Sequence, residues 1–252
     1  MNTSNAVTFR ANYARLRNAQ KPGTGAPLYS LLVNRPLGRI FAAAAHRLGL
    51  RPNQVTTISA LFTFTGMTVL AVGAPGWVPG VLVAGLLLIG YALDSADGQL
   101  ARLRGGGTLT GEWLDHLIDA AKVAALHLAV LIMFYRLDLP DWWLLVAIAF
   151  AITDIVHFFG MLLTELLSRS VSHRLVGGPS AAARGGNLFT AVLKLPTDYG
   201  VVALSFLLLA VPVAFQWLYL FLALTNLAYL ILVLGVWYRR LDSLDARLRE
   251  PG

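Results

Sequence analysis

The stretch Asp94-Ser95-Ala96-Asp97-Gly98-Gln99-Leu100-Ala101-Arg102, followed by Gly111, Asp115 and Asp119, sits inside a chain whose neighbouring segments are almost wholly apolar. Carboxylates beside such segments are costly unless a cation or a reaction uses them. On helices, Asp94 and Asp97 (i, i+3) share one face, and Asp115 and Asp119 (i, i+4) share another. Two such helices facing each other would bring four hard oxygen donors to one point, a set suited to Mg²⁺ or Mn²⁺ and to a two-metal site. The expected chemistry is metal-dependent phosphoryl transfer at a membrane.

Working outward, 57% of the 252 residues are hydrophobic and 13% are charged. Six apolar stretches near or above the ~20 residues needed to span a bilayer are expected at 55–74, 79–101, 113–135, 142–166, 197–215 and 217–238. All should be helical, because in lipid the backbone must satisfy its own hydrogen bonds. Before them, Leu37, Ile40, Phe41, Ala44 and Leu48 alternate with Arg39, His46 and Arg47. This pattern predicts an amphipathic helix lying in the interface plane. The expected fold is therefore all-α integral membrane, with six transmembrane helices preceded by an N-terminal amphipathic interfacial helix. The chain divides into a basic N-terminal segment (1–52), a six-helix catalytic domain (53–240) and a charged tail (241–252). The first apolar run starts after residue 36, so no cleavable leader is expected.

Of the 20 basic residues, 18 fall on one side of these six segments; Arg136 lies on the other side and Lys122 within a span. By the positive-inside rule, both termini and the aspartates face the cytoplasm of a cell (inner) membrane. The net charge of +7 sits in juxtamembrane segments, where anionic lipid headgroups explain it without nucleic acid. The absence of cysteine excludes disulfides and thiolate chemistry. Trp77, Trp142, Trp143, Trp217 and Trp237 are expected at the membrane interfaces.

The pattern D-x2-D-G-x2-A-R-x8-G-x3-D-x3-D, filled by Asp94, Asp97, Gly98, Ala101, Arg102, Gly111, Asp115 and Asp119, resembles the CDP-alcohol phosphotransferases at every fixed position. The resemblance implies transfer of a substituted phosphate from a CDP-linked donor to an acceptor hydroxyl with release of CMP, in phospholipid or related phosphodiester synthesis. It implies two Mg²⁺ or Mn²⁺ ions, with Asp94 and Asp115 contacting both, Asp97 the first and Asp119 the second. Asp119 would also be the general base. The donor side would comprise Asn53 and Thr56, from the Pro52-Asn53-x-x-Thr56 helix entry, with Gly98, Ala101, Arg102, Thr108 and Gly111. Gly105-Gly106-Gly107 suits a turn around a diphosphate, and Gly111 would let the second and third spans pack closely.

For the acceptor, Lys122, Asp154 and His157 are candidates within spans, and Arg174 and Arg184 in the basic 168–195 linker, which suits a phosphate-bearing alcohol. Lys122 has the alternative role of neutralising an aspartate. The resemblance further implies a homodimer among membrane lipids. The competing reading is a transporter whose intramembrane carboxylates bind a coupling cation.

Overall fold

The structure is a computed structural model that describes residues 13–16, 27–174 and 195–249, with the side chains of 172–174 outside that description. Among the described residues every regular element is helical. In chain order, a single π-helical turn (Ser30–Asn34) leads into α1 (Arg35–Arg47). There follow α2 (Pro52–Val72), α3 (Trp77–Leu103), α4 (Leu109–Arg136), α5 (Asp141–Arg174), α6 (Tyr199–Ser205) and α7 (Pro212–Arg249).

Local chemistry sets the helix ends. Arg51 is extended and Pro52 opens α2, where the missing amide costs nothing. The Gln54 side chain accepts from the Arg51 amide at 2.8 Å. Between α3 and α4, Gly105 (φ +100°) and Gly106 (φ +135°) take left-handed backbone, and Thr108 caps α4 by accepting from the Gly111 amide at 3.1 Å. At the far end of α4, the Arg136 guanidinium donates to the carbonyls of Ala71 (2.9 Å) and Gly73 (3.3 Å). It satisfies acceptors that the end of α2 leaves open.

Five helices are long and apolar enough to cross a membrane: α2, α3, α4, α5 through Val171, and α7. The fifth predicted span, 197–215, is different. It consists of α6 followed by a 3₁₀ turn (Phe206–Ala210) and gives way to α7 at Pro212. At helical rise these twelve residues extend about 20 Å, short of the ~30 Å hydrocarbon core. Apolar composition made this stretch look like a full span. Asp198, which caps α6, and Pro212, which cannot continue a preceding helix, shorten it. The element packs along α3 and α7. The sixth predicted span, in contrast, is longer than expected, because α7 continues as helix through the charged residues to Arg249.

α2 packs against both α3 and α4, whereas α3 and α4 do not form a packed pair; α5 continues the layer from α4 and α7 from α5. The core includes Leu87, Val130, Phe134, Phe150, Phe206 and Tyr219, and its members Leu126 and Val202 reach the chamber that Asp94 and Asp119 line. Trp143 belongs to it at 4% exposure, stacked on Trp142 and edge-on to Phe134. Trp143 thus packs inside the bundle, whereas Trp77, Trp142 and Trp217 are exposed. α1 seats Ala42, Ala43 and Ala45 against α3 and leaves Leu37, Ile40 and Leu48 outward, as an amphipathic helix at an apolar boundary would.

Candidate active site

Helical spacing places the aspartates as expected, and the gap between α3 and α4 gives them somewhere to meet. Asp94, Asp97 and Asp115 offer oxygens that all lie within 4.8 Å of one another, and Asp115, His116 and Asp119 form a second group on the same criterion. Asp115 belongs to both. Hard carboxylate oxygens in two groups joined by a shared ligand fit divalent cations. His116, 3.9 Å from Glu112, is a candidate the sequence reading missed.

Buried carboxylates need partners, and each accessible contact supplies one. Thr56 Oγ1 on α2 donates to Asp97 Oδ2 at 2.5 Å. Lys122 Nζ bonds Asp94 Oδ1 and lies 3.3 Å from Asp119 Oδ1 and 3.2 Å from Ser59 Oγ. Lys122 thus links the first aspartate of one pair to the last of the other. Neutralisation of aspartate, one of its two expected roles, is what these contacts perform.

The residues expected on the donor side lie on α2 (Asn53, Thr56), on α3 (Gly98, Ala101, Arg102) and at the start of α4 (Thr108, Gly111). A Cβ built on Gly111 would lie 3.1 Å from Asn53 Oδ1 and 3.1 Å from Thr108 Oγ1, so Gly111 lets α4 approach the start of α2. The expected role, packing of the second span on the third, is corrected: those two helices do not form a packed pair, and Gly111 lies against Asn53 at the start of α2. Gly98 has only Arg102 Nη1, at 3.6 Å, near its would-be Cβ, which leaves that face of α3 open beside Asp97. Arg102 Nε is buried without a hydrogen-bond partner among the described residues. Ala101 lies on the same stretch of α3, partly exposed. Thr108 has a structural task as the α4 cap, and its hydroxyl also lies 3.2 Å from that of Thr110.

On the other side of the aspartates is a cavity of about 320 Å³. Asp94, Asp119, Lys122, Asp154, His157 and Asp198 are among the polar side chains that line it. The structure therefore brings three of the acceptor candidates to one chamber. His157 is held between aromatic rings, parallel to Trp237 (9°, 5.7 Å) and edge-on to Tyr229. Arg174 ends α5 and its side chain lies outside the described residues, as does all of Arg184.

One wall comes from segments that the sequence reading did not connect. Asp198 Oδ2 accepts from the Ser30 amide at 2.9 Å, and Oδ1 from Gly200 at 3.0 Å. Burial pushes the Asp198 carboxyl above its ordinary range, and the two amides and the Tyr91 hydroxyl pull it back. Tyr29 and Tyr199 flank Tyr91, at 6.4 Å and 5.1 Å between ring centroids. An Asp immediately before an apolar helical run is a cap signal that could have identified Asp198. His127 was also missed. An ionisable residue in mid-span is a functional candidate by default.

The model of the CDP-alcohol phosphatidyltransferase family matches residues 50–237. Archaetidylinositol phosphate synthase from Pyrococcus horikoshii is 36% identical over 95 residues, covering 37% of this chain and 47% of that protein. Phosphatidylinositol phosphate synthase from Corynebacterium glutamicum is 33% identical over 98 residues, covering 39% and 38%. The chain thus matches less than half the length of these curated relatives. A crystal structure of Mycobacterium tuberculosis phosphatidylinositol phosphate synthase, in complex with manganese and citrate, aligns with a TM-score of 0.49 and 20% identity, over 79% of this chain and 87% of that one. With its eight motif residues around the converging carboxylates, and with a match that spans α2 to α5 and most of α7, the chain belongs to the CDP-alcohol phosphatidyltransferase family.

Proposed function

We propose that the protein transfers a substituted phosphate from a CDP-linked donor to the hydroxyl of a polyol phosphate, releasing CMP, as a step in phospholipid synthesis. The observation that carries this reading is the position of the four aspartates between the open face of α3 at Gly98 and a half-open chamber lined by both polar and apolar side chains. At about 320 Å³ the chamber lies at the small end of ligand sites, which suits a compact alcohol rather than acyl chains. The names of both curated relatives specify an inositol phosphate product, which favours an inositol phosphate as acceptor and a CDP-activated lipid as donor.

Asp94, Asp97, Asp115 and Asp119 would hold two Mg²⁺ or Mn²⁺ ions. Bound there, these would offset charge on the diphosphate and orient an in-line displacement. The chain's own groups do the rest. Arg102, its Nε unpartnered, pairs with a donor phosphate oxygen, and Asn53 and Thr56 line the nucleotide side. In the chamber, Asp119 takes the proton from the attacking hydroxyl. That oxygen forms the new bond to the substituted phosphorus, and the phosphoanhydride bond breaks toward CMP. Lys122, already bonded to Asp94 and Asp119, keeps the local charge near balance.

We place the site and both termini on the cytoplasmic side, supported by the basic bias, with the short α6–3₁₀ element returning the chain across the bundle to where Leu209 and Pro212 meet Pro75 and Leu137, and we retain the homodimer that the resemblance implies. The transporter alternative has no support in the family match.

The test is CMP release by purified protein in detergent. CDP-diacylglycerol is compared with soluble CDP-alcohols, and inositol phosphate with glycerol phosphate and serine, each with Mg²⁺, Mn²⁺ or chelator. CMP formation that requires a divalent ion, an acceptor and an intact Asp119 is the expected result. Failure to bind any CDP-linked compound would overturn the proposal.

A further inference from the structure

Beyond the carboxylate cluster, α4 carries a second buried polar group. His127, 1% exposed, lies two turns past Asp119 on the same helix. Its Nδ1 is 2.8 Å from Tyr219 Oη on α7, and its Nε2 is 3.0 Å from Asp154 Oδ2 on α5. Phe150 packs on the imidazole with centroids 4.1 Å apart. Three helices thus converge on one ring, where an unpaired polar group would be costly.

The donor count orients this chain of hydrogen bonds. With the imidazole neutral, the Tyr219 hydroxyl donates to Nδ1, which leaves the proton on Nε2 to donate to Asp154. Asp154 can only accept, and it is fixed through one oxygen. Its side chain is a quarter exposed and lines the chamber that also holds Asp94 and Asp119. The chamber's lysine is committed to those two aspartates. A fixed carboxylate there attracts a hydrogen-bond donor on the incoming alcohol and repels its phosphate.

We propose that Asp154 reads a hydroxyl of the acceptor other than the one that attacks, and that His127 and Tyr219 are positioning residues acting through it. The inference rests on the proposed transfer to a polyol phosphate. It adds that the acceptor is selected by its spare hydroxyls and enters with its phosphate pointing away from α5. A site built to bond a hydroxyl rejects the analogue lacking it far more strongly than an apolar pocket can.

The experiment measures kcat and KM with inositol phosphate and its monodeoxy analogues. In the wild type at least one deoxy analogue should lose about tenfold or more in kcat/KM. Asp154→Asn should bring that analogue and the parent within about twofold of each other. Tyr219→Phe removes one oxygen and keeps the ring. It should raise the acceptor KM about threefold to tenfold, leaving the donor KM unchanged. His127→Gln, whose amide can still donate, should recover part of the loss caused by His127→Leu. Retained discrimination in Asp154→Asn, or equal changes in donor and acceptor KM in Tyr219→Phe, would overturn the inference while leaving the transferase reading intact. Absence of CMP from wild-type protein with every polyol phosphate would instead remove the reading on which it rests.

Discussion

Thr56 and Asp97 stand 41 residues apart and share a 2.5 Å hydrogen bond across the packed faces of α2 and α3. The hydroxyl also lies 3.2 Å from the Pro52 carbonyl one turn back. The helix entry that resembles a nucleotide pocket is thereby joined to an aspartate expected to hold metal. A partner that orients a ligating carboxylate contributes to metal affinity even without touching the ion. Thr56→Val, nearly the same shape, should raise the Mg²⁺ concentration for half-maximal CMP release by about 10- to 100-fold. An unchanged Mg²⁺ dependence would assign Thr56 to the nucleotide alone.

Lys122 is buried and bonds two aspartates. Lys122→Met preserves length and leaves both carboxylates without their cation. Breaking a buried ionic pair from one side costs about 3–5 kcal/mol. Thermal unfolding in chelator should therefore fall by several degrees, and added Mg²⁺ should restore a larger share of stability in the variant than in the wild type. Equal Mg²⁺ responses would show that the lysine and the ions do not share a task.

At Gly200 the limit is steric. A Cβ there would stand 2.1 Å from Tyr29 Cδ1. Gly200→Ala should destabilise by about 1–3 kcal/mol through overpacking and weaken acceptor binding, since this contact supports the chamber wall. Tyr29→Ala in the same chain should relieve the clash, so a double-mutant cycle should give strong positive coupling. Additive effects would mean the two residues are not in contact.

Gly106 has a φ of +135°, a region nearly closed to other residues, and its surroundings are open, with nothing within 4 Å of a built Cβ. Backbone cost alone then decides the outcome. Gly106→Ala should cost about 1–3 kcal/mol locally and, by shifting the α3–α4 turn, raise the donor KM more than the acceptor KM. A variant with wild-type KM for both substrates would free this loop from donor binding.

The aspartate spacing and the long apolar runs were legible because each rests on one helix and a local period. The four carboxylates needed only that α3 and α4 present their marked faces to a common gap. What was not legible depends on distant residues. Nothing in the spacing of Leu126-His127-Leu128 says that Asp154 and Tyr219 will arrive beside the ring. Gly111 was matched to the wrong neighbour because packing order in a bundle is not sequence order. The shortened fifth span escaped because hydropathy sums apolar residues without weighing the interruptions at Asp198 and Pro212.

The bond from the Ser30 amide to Asp198 closes a loop of 168 residues, and this has a consequence for how the protein is made. The carboxylate cluster draws only on α2, α3 and α4, so it can assemble once residue 136 has left the ribosome. The chamber must wait for residues 195–226, and non-local closure of that length is slow. A nascent chain therefore completes its carboxylate cluster well before the chamber beside it exists. The last-made segment is the one that supplies the missing wall, so a chain cut short before residue 195 would keep the aspartates and lack the enclosure next to them.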